Sequence, residues 1–406
     1  MFGNRSSAAR MFGGILRLQV VAHRSGLCGR RWVGSVTSLR PLDVLYFGTD
    51  EFSVPSLEVL CSLQKSRPEV VNSVRLVTRS PKWCGRQHSL LKVPPVFEAA
   101  KRFAMPLQPF ECDGAAEMRA ELLPWLQGCD PAHAKMLVAV SYGRLIPQEV
   151  IAGADYSLNV HPSLLPRYKG SAPIQHTLLN GDTVTGVSLQ TLHPEKFDHG
   201  EVIARTPEIP VNSLLDAAMD HIGAWKTRTL IDQLGTAGSL LLREVLLAGT
   251  YAKEDALDTS KYSSSWARTI KTADKQVDFA RDTAEQVYNK LSVLGPVYAF
   301  KQVQVGKKRK SATEFTDKRV LIHEARPVDR AIGQDTTPGT FTLDQDNNTL
   351  LVECAGNTQL AVRSLQFEAC AIETPTDFAS RLRKRCGPIQ AENCIFTTEC
   401  THESLQ

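Results

Sequence analysis

Hydrophobic positions between residues 43 and 247 fall into short continuous apolar runs separated by longer segments with helical spacing. Continuous apolar runs that end in glycine or polar residues are typical of strands buried on both faces of a parallel sheet. Strands are predicted at residues 44–47, 73–78, 136–140, 158–160 and 184–192. Their alternation with helices predicts an α/β fold, a Rossmann-like, open, mostly parallel sheet with helices on both faces.

Helical spacing of the apolar positions marks residues 95–102 and 214–247, the second with an expected break near Gly235. Together with the strands, these helices predict one catalytic domain over residues 41–247. In open parallel sheets, ligands bind beyond the carboxyl ends of the strands. Because His161 follows directly on a predicted strand, we expect a functional site at that edge of the sheet.

A second domain is predicted after residues 248–262, which are polar, lack apolar periodicity and have the composition of a linker. Residues 263–370 combine an amphipathic helix near residues 282–294 with several short strand-like runs. These runs lie at residues 297–305, 319–323, 349–354 and 360–362. Several short strands in such a segment predict a small OB-like β-barrel. Residues 371–406 are predicted to form a poorly structured tail.

The first 40 residues contain seven arginines and five serines but no Asp, Glu or Lys. An Arg-rich, acid-free and amphipathic start predicts a mitochondrial transit peptide, with a disordered basic arm as the alternative. Without these arginines the formal charge changes from 47 − 43 = +4 to 40 − 43 = −3. We therefore expect a near-neutral protein in the mitochondrial matrix, where binding of a polyanion requires a local basic patch.

Several classes of site and fold are not indicated by the sequence. The ten cysteines include no C-x-x-C pair and no zinc-ligand spacing, so we expect reduced thiols and no metal. Gly48 is the only glycine between Arg40 and Gly85, which excludes the G-x-G-x-x-G turn of dinucleotide sites. Since no run of about 18 apolar residues occurs, we expect no membrane span. We also expect a monomer.

Candidate chemistry lies on the predicted strand at residues 158–160, where Asn159 and His161 are two positions apart, and in the turn that contains Asp198. Alternate side chains of a strand project from the same face. Asn159 and a protonated His161 could donate to the oxygen of an acyl group under attack by an amine. A carboxylate that supports the imidazole and orders a water could serve the proton transfers. Alone, however, N-x-H is more often a structural hydrogen-bonded pair.

The segment around these residues resembles the signature of the folate-dependent formyltransferases. Residues 159–173 read NVHPSLLPRYKGSAP, and the turn FDHG stands where that family has an LDTG-like turn, with Phe and His in place of Leu and Thr. The resemblance implies 10-formyl-tetrahydrofolate as the formyl donor. It also implies a catalytic set and a group of residues that help to form the folate pocket. The catalytic set is Asn159, His161 and Asp198, and the pocket residues are Ser163, Leu164, Leu165 and Pro166.

Further segments resemble those members of the family that formylate methionyl-tRNA. Residues 47–52 read FGTDEF, similar to their FAGTPEF with Asp50 in place of proline, and residues 266–271 resemble the start of their C-terminal domain. A basic loop and a basic cluster imply contacts with initiator methionyl-tRNA. Their cations are Lys82, Arg86, Lys92, Lys307, Lys308, Arg309 and Lys310. Without the resemblance, a solvated loop and an exposed hairpin turn explain them equally simply.

Three alternatives remain open from the sequence. A formyltransferase could act on a small amine, such as glycinamide ribonucleotide or an amino sugar. A hydrolase could release formate from the same donor. A non-catalytic RNA-binding protein could keep the fold without the reaction. The first two leave the basic loop and the second domain unexplained, and the third leaves the retention of Asn159, His161 and Asp198 unexplained.

Overall fold

The structure is a computed structural model, and it describes residues 39–85, 88–103, 108–253, 256–304, 315–329 and 337–398. The chain divides into two compact units. The first comprises residues 1–174, 183–214 and 230–268, and the second comprises residues 175–182, 215–229 and 269–406. Most of the predicted transit peptide, residues 1–40, lies outside the described residues, as do Arg86 and the predicted cluster from Lys307 to Lys310.

Up to residue 248 the described chain alternates strands and helices. The strands are β1 Leu42–Gly48, β2 Val71–Thr78, β3 Lys82–Cys84, β4 Leu90–Lys92, β5 Phe110–Glu111, β6 Ala134–Val140, β7 Tyr156–His161, β8 Val184–Thr185, β9 Ser188–Gln190, β10 Val202–Arg205 and β11 Ile209–Pro210. The helices are α1 Val54–Ser66, α2 Pro95–Arg102, α3 Ala115–Gly128, α4 Gln148–Ala152, α5 Pro173–Leu179, α6 Val211–Leu215 and α7 Trp225–Ala248.

The first unit contains a seven-stranded sheet with the order β10-β9-β7-β6-β1-β2-β5. Neighbouring strands from β7 to β5 pair in parallel, whereas β9 runs antiparallel to both β7 and β10. All seven residues of β1 are buried, as expected for a central parallel strand covered on both faces. The predicted Rossmann-like, mostly parallel sheet is therefore confirmed.

The strand predicted at residues 184–192 is wrong as a single element. Residues 184–185 form β8, which pairs with β11 in a separate two-stranded sheet. Residues 188–190 form β9, which joins the main sheet beside β7. Residues 185–190 are all buried, so the hydrophobic pattern alone gives no sign that the chain changes sheets between the two short strands.

The helix break predicted near Gly235 is also wrong. The chain leaves α6 at Leu215, and α7 then runs without interruption from Trp225 to Ala248. A Cβ atom on Gly235 would lie 3.3 Å from the backbone oxygen of Phe52. The glycine therefore provides a close approach between α7 and the segment after β1, at a local cost in helix propensity of about 1 kcal/mol.

The second unit is an antiparallel sheet with helices packed against it. Its described elements are α8 Ala284–Leu294, β12 Val297–Gln304, β13 Phe315–Val328, β14 Phe341–Asp344, β15 Thr349–Cys354, β16 Thr358–Phe367, β17 Ile372–Glu373, α9 Pro375–Cys386 and α10 Pro388–Glu392. The sheet order is β12-β13-β16-β15-β14, with β17 paired to β16. A small antiparallel sheet domain stands where an OB-like β-barrel was predicted; β14 was not predicted, and β13 extends well beyond the predicted run.

The prediction of a poorly structured tail is wrong for residues 371–398. In α9 the side chains of Phe378, Leu382 and Cys386 are spaced by four residues, and all three belong to the core of the second unit, as helical periodicity requires. Thr397 then pairs with β12, and Ile395 pairs with Thr340 beside β14. The segment therefore bridges both edges of the sheet. Residues 399–406 lie outside the described part of the chain.

The boundary between the units lies after residue 268, later than the predicted end of the linker at residue 262. Trp266 forms a parallel bridge with Lys169, and Ala267 exchanges backbone hydrogen bonds with Lys169 and Ala172. These bonds attach the start of the predicted second domain to the loop after β7. Over the described residues, none of the helices is both long and apolar enough to span a membrane.

Candidate active site

The residues predicted to carry the chemistry meet at the carboxyl end of β7. Asn159 Nδ2 donates to Asp198 Oδ1 over 3.0 Å, and His161 Nδ1 lies 3.3 Å from the same oxygen. Both side chains therefore project from one face of the strand, as the alternation along β7 requires. The structure brings all three predicted catalytic residues together around one carboxylate.

Two further donors hold this carboxylate, and sequence analysis missed both. Gln190 Nε2 donates to Oδ1 of Asp198 over 2.8 Å, and the backbone N–H of Gly170 donates to Oδ2 over 2.8 Å. Gln190 is the direct neighbour of Asn159 across the β7–β9 pairing. Its signal in the sequence was weak, since it is one polar residue at the end of a short apolar strand. The donors on both oxygens fix the orientation of a carboxylate that is only 8% exposed.

His161 is buried between two acceptors. Its Nε2 lies 2.8 Å from the backbone oxygen of Tyr168, and its Nδ1 faces Asp198. An imidazolium ring satisfies both contacts, because each of its nitrogens carries a hydrogen. The carbonyl and the carboxylate therefore fix the orientation of the ring directly beside Asp198.

The backbone of the turn FDHG has a strained conformation that places this carboxylate. Asp198 adopts φ = 54°, a left-handed conformation that non-glycine residues seldom adopt. A Cβ atom on Gly200 would lie 1.7 Å from the backbone oxygen of Thr191, so the position requires glycine. Such strain persists where the surrounding contacts enforce it. Here those contacts are the hydrogen bonds to the Asp198 side chain.

A cavity opens beside Asn159 and Asp198 at the carboxyl ends of β6 and β7. Its lining residues are Ala139, Tyr142, Gly143, Arg144, Leu145, Ile146, Ile151, Asn159, Gln190, Thr191, Leu192, His193, Lys196, Phe197 and Asp198. The Tyr142 hydroxyl donates to the Cys112 backbone oxygen, and burial raises the pKa of this hydroxyl well above its ordinary value. The walls are thus mostly apolar, with exposed cations at Arg144 and Lys196 and polar atoms concentrated at Asp198.

Ser163, Leu164, Leu165 and Pro166 do not line this cavity. Ser163 Oγ donates to the backbone oxygen of Arg167, and the Leu165 N–H donates to Ser188 Oγ. The side chains of Leu164 and Leu165 are buried. The four residues therefore stabilise the loop that carries the Tyr168 carbonyl to His161, and their contribution to a folate pocket stays a prediction.

Lys82 and Lys92 lie on a hairpin formed by β3 and β4, where they are directly opposite each other. Lys82 Nζ is 3.3 Å from Asp113, and its side chain remains 53% exposed. Like charges directly across a strand pair are unfavourable. The two lysines nevertheless face each other on an exposed hairpin, and their contact with phosphates stays a prediction. Within the described residues, no group of three or more His, Cys, Asp or Glu side chains is placed to hold a metal ion.

Comparisons with known proteins identify the family to which this chain is similar. A family model described as "Formyl transferase" matches residues 43–220, and one described as "Formyl transferase, C-terminal domain" matches residues 269–383. The mitochondrial methionyl-tRNA formyltransferase of Saccharomyces cerevisiae is 42% identical over 378 residues, which cover 88% of this chain and 93% of the relative. The mitochondrial methionyl-tRNA formyltransferase of Homo sapiens is 26% identical over 83% of this chain and 77% of its own length.

Among solved structures, a HypX variant from Aquifex aeolicus is similar with a TM-score of 0.50 and 14% identity, over 86% of this chain and 48% of that one. At this identity the similarity concerns the fold alone. The two matched family models and the identity to the yeast protein also show the family. The chain belongs to the formyl transferase family, in the group of the methionyl-tRNA formyltransferases.

Proposed function

We propose that this protein transfers the formyl group of 10-formyl-tetrahydrofolate to the α-amino group of methionine esterified to initiator tRNA, in the mitochondrial matrix. The observation that carries the proposal is the convergence of Asn159, His161 and Gln190 on the carboxylate of Asp198 at the wall of a cavity. The names of the yeast and human relatives support the acceptor and the compartment.

The cavity at the ends of β6 and β7 suits the folate donor. Apolar side chains such as Leu145, Ile146 and Phe197 line it, and they offer surfaces on which a flat heteroaromatic ring can pack. Arg144 and Lys196 lie at exposed positions of the same lining. Their charges would attract the carboxylates of the glutamate tail of a folate, while the formyl group reaches Asn159.

Asn159 is the residue best placed to stabilise the oxyanion that forms when the amine attacks the formyl carbon. Its amide carries two hydrogens, and one of them is engaged by Asp198. The second remains for the formyl oxygen. Removal of one such donor typically lowers the rate by about 100- to 1,000-fold. His161, whose ring is held between Tyr168 and Asp198, would stabilise the same oxyanion electrostatically in its protonated form.

Asp198 is the group through which the protons move. As the new C–N bond forms, the α-amine loses a proton, which the carboxylate can accept directly or through a water. As the formyl carbon leaves the folate nitrogen N10, that nitrogen gains a proton, which Asp198 can return. The proton count balances, because the carboxylate ends the cycle as it began. The fixed orientation of Asp198 by Gln190 and Gly170 serves both steps.

For the RNA, we propose phosphate contacts by the basic hairpin and by the basic cluster of the second domain. Lys82 and Lys92 are exposed on the β3–β4 hairpin, and Arg86 lies between them in the sequence. The cluster of Lys307, Lys308, Arg309 and Lys310 follows β12 in the chain. Such contacts position an RNA without reading its sequence, and they weaken as the salt concentration rises.

The test is formyl transfer by the full chain with 10-formyl-tetrahydrofolate and methionyl-tRNA, in competition with free methionine and glycinamide ribonucleotide. We expect formyl-methionyl-tRNA as the product and a loss of at least about 100-fold in kcat for His161→Ala. His323→Ala is the matched control, because His323 pairs with Gln366 in the second unit and should leave the rate unchanged.

Other outcomes contradict the proposal in distinguishable ways. Formylation of the small amines in preference to the RNA would indicate a small-molecule formyltransferase. Release of formate without any acceptor would indicate a hydrolase. RNA binding without turnover, by a protein with native ellipticity, would indicate a binding protein that has lost the reaction.

A further inference from the structure

Trp266 is a large apolar side chain that the first unit leaves in contact with solvent. It is 57% exposed, although its backbone is well fixed. The backbone of Trp266 forms a β-bridge with the backbone of Lys169, and the N–H of the next residue, Ala267, donates to the Lys169 backbone oxygen. The position of the indole is thus set by hydrogen bonds to the loop after β7, while the side chain itself does not complete a core.

The indole lies directly against a residue that contacts the catalytic carboxylate. A Cβ atom built on Gly170 would be 3.1 Å from Cε2 and 3.2 Å from Cζ2 of Trp266. The N–H of the same Gly170 donates to Asp198 Oδ2 over 2.8 Å. One glycine therefore separates an exposed indole from the group proposed to exchange protons with the acceptor amine.

A second exposed ring, that of His199, lies near the indole of Trp266. The centroid of the exposed His199 ring lies 6.5 Å from that of Trp266, at an interplanar angle of 48°. His199 is the residue after Asp198, and its Nδ1 is 2.6 Å from the Phe197 oxygen. Lys169 is the bridge partner of Trp266, and Arg268 lies two residues further along the chain. Two rings thus lie close to Asp198.

We propose that the indole of Trp266, with the ring of His199 near it, is the stacking platform for the 3′-terminal adenine of the aminoacylated RNA. The inference rests on the proposed function, because the acceptor amine must reach Asp198. The methionyl group is esterified to the ribose of the terminal adenosine, so its base must lie within one ribose and one aminoacyl group of that carboxylate. An exposed indole beside Gly170 is at such a position, and aromatic side chains are the usual partners of unpaired bases in RNA recognition.

This assignment makes Trp266 a residue that selects the acceptor and has no part in the chemical step. A base stacked on an aromatic side chain contributes an amount equivalent to about 5- to 150-fold in affinity. That gain is available to an adenosine ester of methionine and unavailable to a simple alkyl ester. The discrimination between these two acceptors therefore measures the stack directly.

The experiment compares methionyl-adenosine with methionine methyl ester as acceptors of the full-length enzyme. For Trp266→Ala we expect kcat/KM to fall by about 5- to 150-fold with methionyl-adenosine and with methionyl-tRNA. We expect it to stay unchanged with the methyl ester, as should the KM for 10-formyl-tetrahydrofolate. Trp266→Tyr should restore most of the loss, because a phenol ring also stacks. Ile372→Ala is the matched control, since Ile372 is exposed to the same 57% in the second unit.

Two results would overturn the proposal. Equal losses with all three acceptors would mean that Trp266 only supports the position of Asp198. An unchanged preference for methionyl-adenosine over the methyl ester would place the adenine elsewhere.

A binding measurement separates the platform from the reaction itself. The trinucleotide CCA should quench the part of the tryptophan fluorescence that Trp266→Phe removes. Quenching in a protein that fails to formylate methionyl-tRNA would retain the platform and refute the proposed function. Absence of quenching in an active protein would refute the platform alone.

Discussion

Both carboxylate oxygens of Asp198 accept hydrogen bonds, from side chains and from the backbone. These bonds determine which single substitutions should change the reaction rate most. Asn159 and Gln190 donate to Oδ1, and Gly170 donates to Oδ2. In a buried site each charge-assisted bond is stronger than a neutral one. Residues that orient the carboxylate should therefore affect the rate nearly as much as residues that touch the formyl group.

Gln190 provides the sharpest test of this orientation. Gln190→Leu removes a donor to a charged group, a bond worth about 1.5–3 kcal/mol, so kcat should fall by about 10- to 100-fold. Gln190→Glu should be worse at neutral pH, because it places a second negative charge beside Asp198, and its activity should recover as the pH is lowered. Steady-state rates between pH 5.5 and 8.5 measure both effects. A pH profile of Gln190→Glu parallel to that of the native enzyme would contradict this account.

Asp50 gives a prediction for stability. Its Oδ1 is buried without a hydrogen-bond partner, and burial, reinforced by the neighbouring Glu51, raises the pKa of this carboxyl group to about 6. A raised pKa means that ionisation opposes folding. The contribution of the protonated Asp50 carboxyl to the free energy of unfolding is complete below the unfolded-state pKa of about 4. This contribution is lost as the pH rises to about 6.

Asp50→Asn should therefore stabilise the protein at pH 7.5, by about 2 kcal/mol, and change the free energy of unfolding little at pH 4. Urea denaturation followed by circular dichroism at the two pH values measures the difference. The same stabilisation at both pH values would mean that the effect comes from packing and not from the charge.

At the scale of elements, the last described helices are the part of the second unit that sequence patterns failed to predict. Phe378 of α9 is completely buried, and its ring centroid lies 6.2 Å from that of Phe341 and 6.2 Å from that of Phe396. Phe341 begins β14, and Phe396 belongs to the segment that bridges the sheet edges. This aromatic cluster therefore joins the helix, an edge strand and the closing segment.

Phe378→Ala should lower the free energy of unfolding by about 3–5 kcal/mol, because it removes a large ring and leaves a cavity among other rings. Ile389→Ala is the matched control, since Ile389 is 56% exposed on α10 and its substitution should change stability by less than about 0.5 kcal/mol. Urea midpoints of the two variants make the comparison. Equal midpoints would mean that α9 is dispensable for the fold of this unit.

At the scale of the whole molecule, charge decides how an RNA is held. The formal charge is +4, and seven of the arginines lie in the first 40 residues. The remaining chain has no general attraction for a polyanion. Binding must therefore depend on local patches such as the hairpin with Lys82 opposite Lys92.

Neutralising both hairpin lysines should reduce the salt dependence of the reaction with methionyl-tRNA. Each lost phosphate contact lowers the slope of log kcat/KM against log salt by about 1. Lys82→Ala combined with Lys92→Ala should therefore give a slope less steep by about 2. Lys101→Ala is the control, because Lys101 lies on α2, outside the hairpin. A slope that is unchanged in the double variant would exclude phosphate contacts by this hairpin.

Much of this protein could be predicted from local patterns. The parallel strands β1, β2, β6 and β7 follow from short, apolar-rich runs, because burial on both faces favours apolar side chains. The shared face of Asn159 and His161 follows from their spacing of two residues on such a strand. These features depend on neighbours in the sequence, so the sequence determined them.

The tertiary structure decided what depends on residues far apart in the chain. Gln190 became part of the site because β9 pairs with β7, and Trp266 reached Gly170 because its backbone pairs with Lys169. The loop at residues 163–166 packs inward because its partners, such as Ser188, come from another strand. The closing segment near Phe396 meets two sheet edges that the sequence separates widely. Backbone pairing between distant segments creates these contacts, and the local hydrophobic periodicity of the sequence does not predict such pairing.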